Sequence, residues 1–203
     1  TSLPSIEMIN HQSATPVALS YYRAVMPIHP SHETELLEAL AEATTANACF
    51  MAAYDALDDT VDAVLKGIFQ KDDTAVKFVV EPLLNSGGPL GEIMVRAKLL
   101  LGLGVISKDV YDDLEIFVTL KEWAKIQGEE VSFTDPNVLF ELNKTHAIQK
   151  IMPIEYDAEL VESMSGPMLD MFMGRHNQKV QSTIVLAITD LINTLCRDNA
   201  LIV

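Results

Sequence analysis

The charged side chains best placed to do chemistry in this chain are those set among apolar neighbours. Glu81 lies between Val79-Val80 and Pro82-Leu83-Leu84, and Arg96 stands among Ile93, Val95 and Leu99. A carboxylate or guanidinium in such company has to meet an opposite charge if it is buried. Glu81 and Arg96 are therefore expected to form a structural ion pair joining two neighbouring helices. Between them, Asn85-Ser86-Gly87-Gly88-Pro89-Leu90-Gly91 can turn the chain and present backbone amides to an anion, with Arg96 and Lys98 not far away. Glu81, Gly88, Gly91, Arg96 and Lys98 are accordingly the candidates for a ligand or partner site. Gly91 is expected in the first turn of a helix, where glycine costs about 1 kcal/mol relative to alanine; close approach of another helix or a ligand would account for it.

Other groupings carry less. Asp55, Asp58, Asp59 and Asp62 share a helical face and could attract a divalent cation, but no calcium-loop glycine accompanies them, so a solvated acidic face is expected. His29 and His32 are three apart, yet Pro30 interrupts them and no further Cys or His lies nearby to complete a zinc site. Gly102-Leu103-Gly104 follows a helical stripe rather than a strand, which removes the setting a dinucleotide-binding turn needs. Cys49 and Cys196 stand alone in apolar stretches with no CxxC, as buried thiols of a reducing compartment do. Nothing pairs a nucleophile with a base and an orienting group. A non-enzymatic protein with no cofactor and no metal is expected.

The elements that must position these residues read as helices. Residues 1–30 are expected to form an arm with a short helix, and residues 31–203 one helical domain. From Ser31 to Phe69 there is no proline, Gly67 is the only glycine, and apolar residues recur at three- and four-residue steps, which predicts one long helix or two end to end. Thr44-Thr45 is its weak place, because β-branched residues with competing hydroxyls lower helix propensity. Further helices are predicted over Thr74 to Leu84, from Pro89 to Leu101, from Ser107 to Gly128, and from Asp135 to about His146. Ile148 to Tyr156 is expected to be a linker, followed by a short helix after Asp157 and a final amphipathic helix from about Arg175 to Arg197. Glu129 to Phe133 is a possible short extended piece. The fold class is all-α, a multi-helix bundle with short peripheral helices.

Charge narrows the partners. Fourteen Lys and Arg face twenty-nine Asp and Glu, for a net charge of −15 over 203 residues. Arg23 is the only base before Lys66. A polyanion meets repulsion here rather than counterion release, so nucleic acid and anionic membrane are poor partners and a protein is the better one. The basic cluster Arg175, His176 and Lys179 is too small to anchor DNA, no helix carries a basic stripe, and a homodimer would only double the negative charge. No charged segment precedes an apolar signal core, and the apolar runs fall short of the roughly 18 residues that span a bilayer, so a cytoplasmic protein is expected.

One stretch is not anonymous. Phe69-Gln70-Lys71-Asp72-Asp73-Thr74-Ala75-Val76-Lys77-Phe78-Val79-Val80-Glu81-Pro82-Leu83-Leu84 resembles the mannitol operon repressor family of enteric and related bacteria. The likeness continues through Gly88-Pro89-Leu90-Gly91, Val95-Arg96-Ala97-Lys98-Leu99, Leu103-Gly104-Val105-Ile106, Tyr111-Asp112-Asp113 and Phe133-Thr134-Asp135. It implies repression of mannitol utilisation genes in the cytoplasm, alongside the sugar phosphotransferase system. With no helix-turn-helix and the wrong charge for phosphate contacts, the expected route is a protein partner, either a DNA-binding regulator or a phosphotransferase component such as a small basic phosphocarrier. Direct DNA binding and sensing or turnover of a sugar phosphate are the alternatives.

Overall fold

In the computed structural model the described residues are 38–40, 42–69, 78–79, 81–126 and 131–199. Every regular element among them is a helix: α1 Ala46–Phe69, α2 Glu81–Leu84, α3 Ile93–Gly102, α4 Lys108–Ile126, α5 Pro136–Lys144, α6 His146–Ile151, α7 Ala158–Glu162 and α8 Pro167–Asn199. The arm and the histidines at 29 and 32 lie outside the described residues, as do residues 74–77 and 80 of the helix expected over Thr74 to Leu84.

Local chemistry explains most boundaries. Residues 38–40 are helical and 43–45 are not, so the chain breaks at the threonine pair. Thr45 then uses its hydroxyl to accept the Ala48 amide as α1 begins. Ser107 Oγ accepts from the Val110 amide at the start of α4, and Asp135 accepts from Asn137 ahead of Pro136. Asp157 caps α7 through the Leu160 amide. Gly104 and Gly166 take φ of +72° and +58°, turning the chain after α3 and before α8.

Three boundaries differ from the sequence reading. Pro89 and Leu90 form a turn, and α3 starts only at Ile93. Ile148 to Ile151 belong to α6, so the irregular stretch begins at Met152. The last helix begins at Pro167 rather than near Arg175, because proline suits a first helical position and the sequence pattern fixes only the half of a helix that is buried. Val131 to Phe133 form no strand.

The amphipathic stripe of α1 packs against α4, α8 and α3 at once, which makes α1 the centre of the bundle. Phe50, Leu57, Val61 and Leu65 from α1 meet Leu114 and Phe117 of α4 and Ile184 and Ile188 of α8 in one apolar cluster. Phe50 meets Phe133 edge to face, with ring centroids 6.0 Å apart. Polar side chains tie distant segments to this core. Asn47 donates to Ala124 O and accepts the Val131 amide, and Gln181 donates to Leu40 O and Ala43 O across the break before α1. Asn143 satisfies both backbone groups of Ile154. Each bond satisfies a backbone group in an irregular segment or near a helix end, where the helical ladder offers no partner.

Candidate functional site

The turn after α2 folds back on itself. Leu90 N donates to Leu83 O, Gly88 N to Asn85 O, and Gly91 N to Gly88 O. A Cβ on Gly91 would lie 2.7 Å from Asn85 O, and one on Gly88 would collide with the carbonyls of Pro82 and Leu83. Both glycines are therefore close-approach positions, as anticipated for Gly91. The neighbour is the backbone of the same turn, not a second helix or a ligand.

This turn brings the α2 segment beside the acidic face of α1 and leaves an open cleft of about 430 Å³. Its walls include Asp58, Asp59, Asp62 and Lys66 from α1, Glu81 at the start of α2, Asn85 and Ser86 in the turn, and Arg96. Arg96 is the anchor. Its side chain is 4% exposed, Nη2 lies 2.5 Å from Asp58 Oδ1, and Nη1 lies 3.3 Å from Asp62 Oδ1. Nη2 also donates to Gly91 O at 3.4 Å. Asp62 is shared with Lys66 at 2.7 Å.

The ion pair expected between Glu81 and Arg96 is thus corrected: Arg96 takes its partners from α1, and Glu81 is exposed at the rim of the same cleft. Asp58 and Asp62 stand one turn apart, the spacing that lets two carboxylates grip one guanidinium. Their reading as a solvated face is corrected as well, since both are half-buried. Asp55 and Asp59 are exposed. Burial pushes the Asp58 carboxyl above its ordinary range, against the pull of the Arg96 guanidinium, and burial with Asp59 nearby does the same to Asp55.

Of the five sequence candidates, Glu81, Gly91 and Arg96 meet at the cleft and Gly88 shapes its turn. Lys98 is exposed and is not among the cleft's lining residues. Four carboxylates against two cations favour cationic or neutral hydroxylated groups over an anion, which tells against an anion site at Ser86 to Gly88.

Asp113 entered the sequence reading only as part of Tyr111-Asp112-Asp113. It is buried and accepts from the His146 and Ala147 amides at 2.7 and 2.9 Å while facing His146 Nδ1 at 2.8 Å, so it caps α6 from α4. No local signal in the sequence links residues so far apart. His176 is likewise withdrawn from the small basic cluster: it is buried, Nε2 meets Phe133 O at 2.9 Å, and its ring lies 4.9 Å from that of Tyr156. Cys49 is buried, which pushes its thiol up to about 12. Among the described residues no helix is long and apolar enough to cross a membrane.

Fold and surface together define an acidic all-α domain suited to contact with protein rather than with phosphate. The family model described as mannitol repressor matches residues 32–196. The chain belongs to the mannitol repressor family. It is 35% identical over 177 residues to the mannitol operon repressor of Escherichia coli K12, covering 87% of this chain and 89% of that one. Fumarase E of the same strain is 25% identical over 165 residues, covering 80% and 96%. Among solved structures, the MtlR-HPr complex from Escherichia coli matches with a TM-score of 0.69 at 35% identity, covering 81% of this chain and 98% of that one. The possible transcriptional regulator YggD from Shigella flexneri matches with a TM-score of 0.66 at 23% identity, covering 80% and 96%, and shows the same fold.

Proposed function

We propose that this chain represses mannitol utilisation genes in the cytoplasm by binding a protein partner, a phosphotransferase carrier of the HPr kind. The observation that carries this reading is the related MtlR solved in complex with HPr, matching over 81% of this chain. The charge supports it. With −15 overall, and with His176 buried within the small basic cluster, little positive surface is left to neutralise a row of phosphates. The acidic cleft likewise works against a sugar phosphate as the ligand.

The test is a titration of mannitol promoter DNA with the purified protein alone, in low-salt and physiological-salt buffers, beside a calorimetric titration with HPr. The expected outcome is binding to HPr and no operator shift by the protein alone at physiological salt. Sequence-specific retention at sub-micromolar protein, competed by operator but not by unrelated DNA, overturns partner-mediated action in favour of direct repression.

A further inference from the structure

Helix α8 runs from Pro167, but its first buried residue is His176. The turns before it, Pro167 to Arg175, project past the core. They are apolar all the same: Met168 and Met171 are 60% and 53% exposed, and Leu169, Phe172 and Met173 are only partly covered. The preceding helix, α7, buries no residue and exposes Leu160. Ile151 and Met152 are exposed just before it. Met152, Met164, Met168, Met171 and Met173 are five of the chain's nine methionines. A projecting helix end gains nothing from apolar side chains in water, and flexible, polarisable methionine suits a surface that must mould itself to a partner.

The charge around these residues says what kind of partner. From Ile151 to Gly174 the acids are Glu155, Asp157, Glu159, Glu162 and Asp170, all exposed, and there is no Lys or Arg. A second copy of this chain would set these acids against themselves, and an anionic membrane would be repelled. We infer that α7 and the projecting start of α8 form a docking surface for a protein whose contact face carries apolar side chains edged by Lys or Arg. This rests on the partner-mediated function proposed above and adds the surface that serves it. The methionines supply the apolar contact, and the acids around them supply register and speed of encounter.

The experiment is calorimetry with Escherichia coli HPr as the probe, on the full chain and on three variants: Met168→Gln with Met171→Gln, Glu159→Lys with Glu162→Lys, and Phe140→Gln as an exposed apolar control on α5. All changes are at exposed positions, so unaltered circular dichroism and melting are expected. The methionine pair should weaken binding by about ten-fold or more, the charge pair should weaken it and flatten its salt dependence, and the control should bind as the parent does. Parent-like affinity in both test variants overturns the surface and leaves the partner reading standing. Absence of binding by the parent removes the partner reading, and the surface with it. Sedimentation showing a parent dimer that the test variants dissolve assigns the surface to a second copy and overturns the proposal.

Discussion

Arg96 has two carboxylate partners, Asp58 and Asp62, and both reach it from α1 rather than from its own helix α3. Removing Arg96 would leave half-buried Asp58 without its cation and Asp62 with Lys66 alone, one turn apart and repelling each other. Arg96→Leu should lower stability in urea unfolding by about 2–3 kcal/mol, less than a fully buried pair because both aspartates keep some contact with water. Adding Asp58→Asn and Asp62→Asn should recover part of that loss. Glu81→Ala should leave the urea midpoint unchanged, since Glu81 is exposed. Equal losses for the Arg96 and Glu81 single variants would restore the pairing between them.

At the level of elements, the turn from Asn85 to Gly91 decides where α3 begins and therefore where Arg96 points. Leu90 and Gly91 reach back to the α2 segment closely enough that a side chain on Gly91 would strike the Asn85 and Ser86 carbonyls. Backbone cannot retreat as the tip of a flexible side chain can, so Gly91→Ala should cost about 1–3 kcal/mol. Gly67 is the matched control: it lies within α1 with nothing inside 4 Å of a built Cβ. Gly67→Ala should stabilise by about 0.5–1 kcal/mol through helix propensity and chain entropy. Thermal unfolding of the two variants separates these effects, and a Gly91→Ala protein as stable as the parent would show that the turn relaxes freely.

Over the whole molecule, the acid excess should make stability respond to pH in an unusual direction. Asp55 and Asp58 have carboxyls raised above the ordinary 3.8, so the folded protein holds those protons more tightly than the unfolded chain does. Their contribution to stability therefore grows as pH falls toward the raised values and is absent well above them. Relief of self-repulsion at −15 acts in the same direction. Glu122 has the opposite sign, because Lys121 holds its carboxyl down, but that pair is exposed at the glutamate. Melting should therefore occur at higher temperature at about pH 5 than at about pH 7.5, and Asp58→Asn, which keeps an oxygen for Arg96, should shrink the difference. A melting temperature that falls on acidification would show that carboxylates with lowered pKa dominate instead.

The helical class was legible in the residues alone, because a 3.6-residue apolar period commits a segment to burying one face whatever it packs against. The residues also marked Thr44-Thr45 as the weak place of the first helical stretch, the helix starts at Ser107 and Asp135, the restricted space around Gly91, and the family, since each is written in a few contiguous residues. The partner of Arg96 was not so written. Asp58 and Asp62 were visible as a one-turn acidic pair, but choosing between water and Arg96 for them depends on the way the turn through Gly88 and Gly91 lays α3 against α1. Asp113 capping α6, Gln181 holding the carbonyls before α1, and His176 turned to Phe133 are likewise contacts between segments far apart in the chain. The projecting start of α8 escaped the periodic pattern for a related reason: amphipathicity marks only what the chain buries in itself, and these turns keep an apolar surface that the fold leaves open. Which polar groups meet, and which apolar groups stay uncovered, follows from how the helices pack, and that is decided only when the tertiary structure forms.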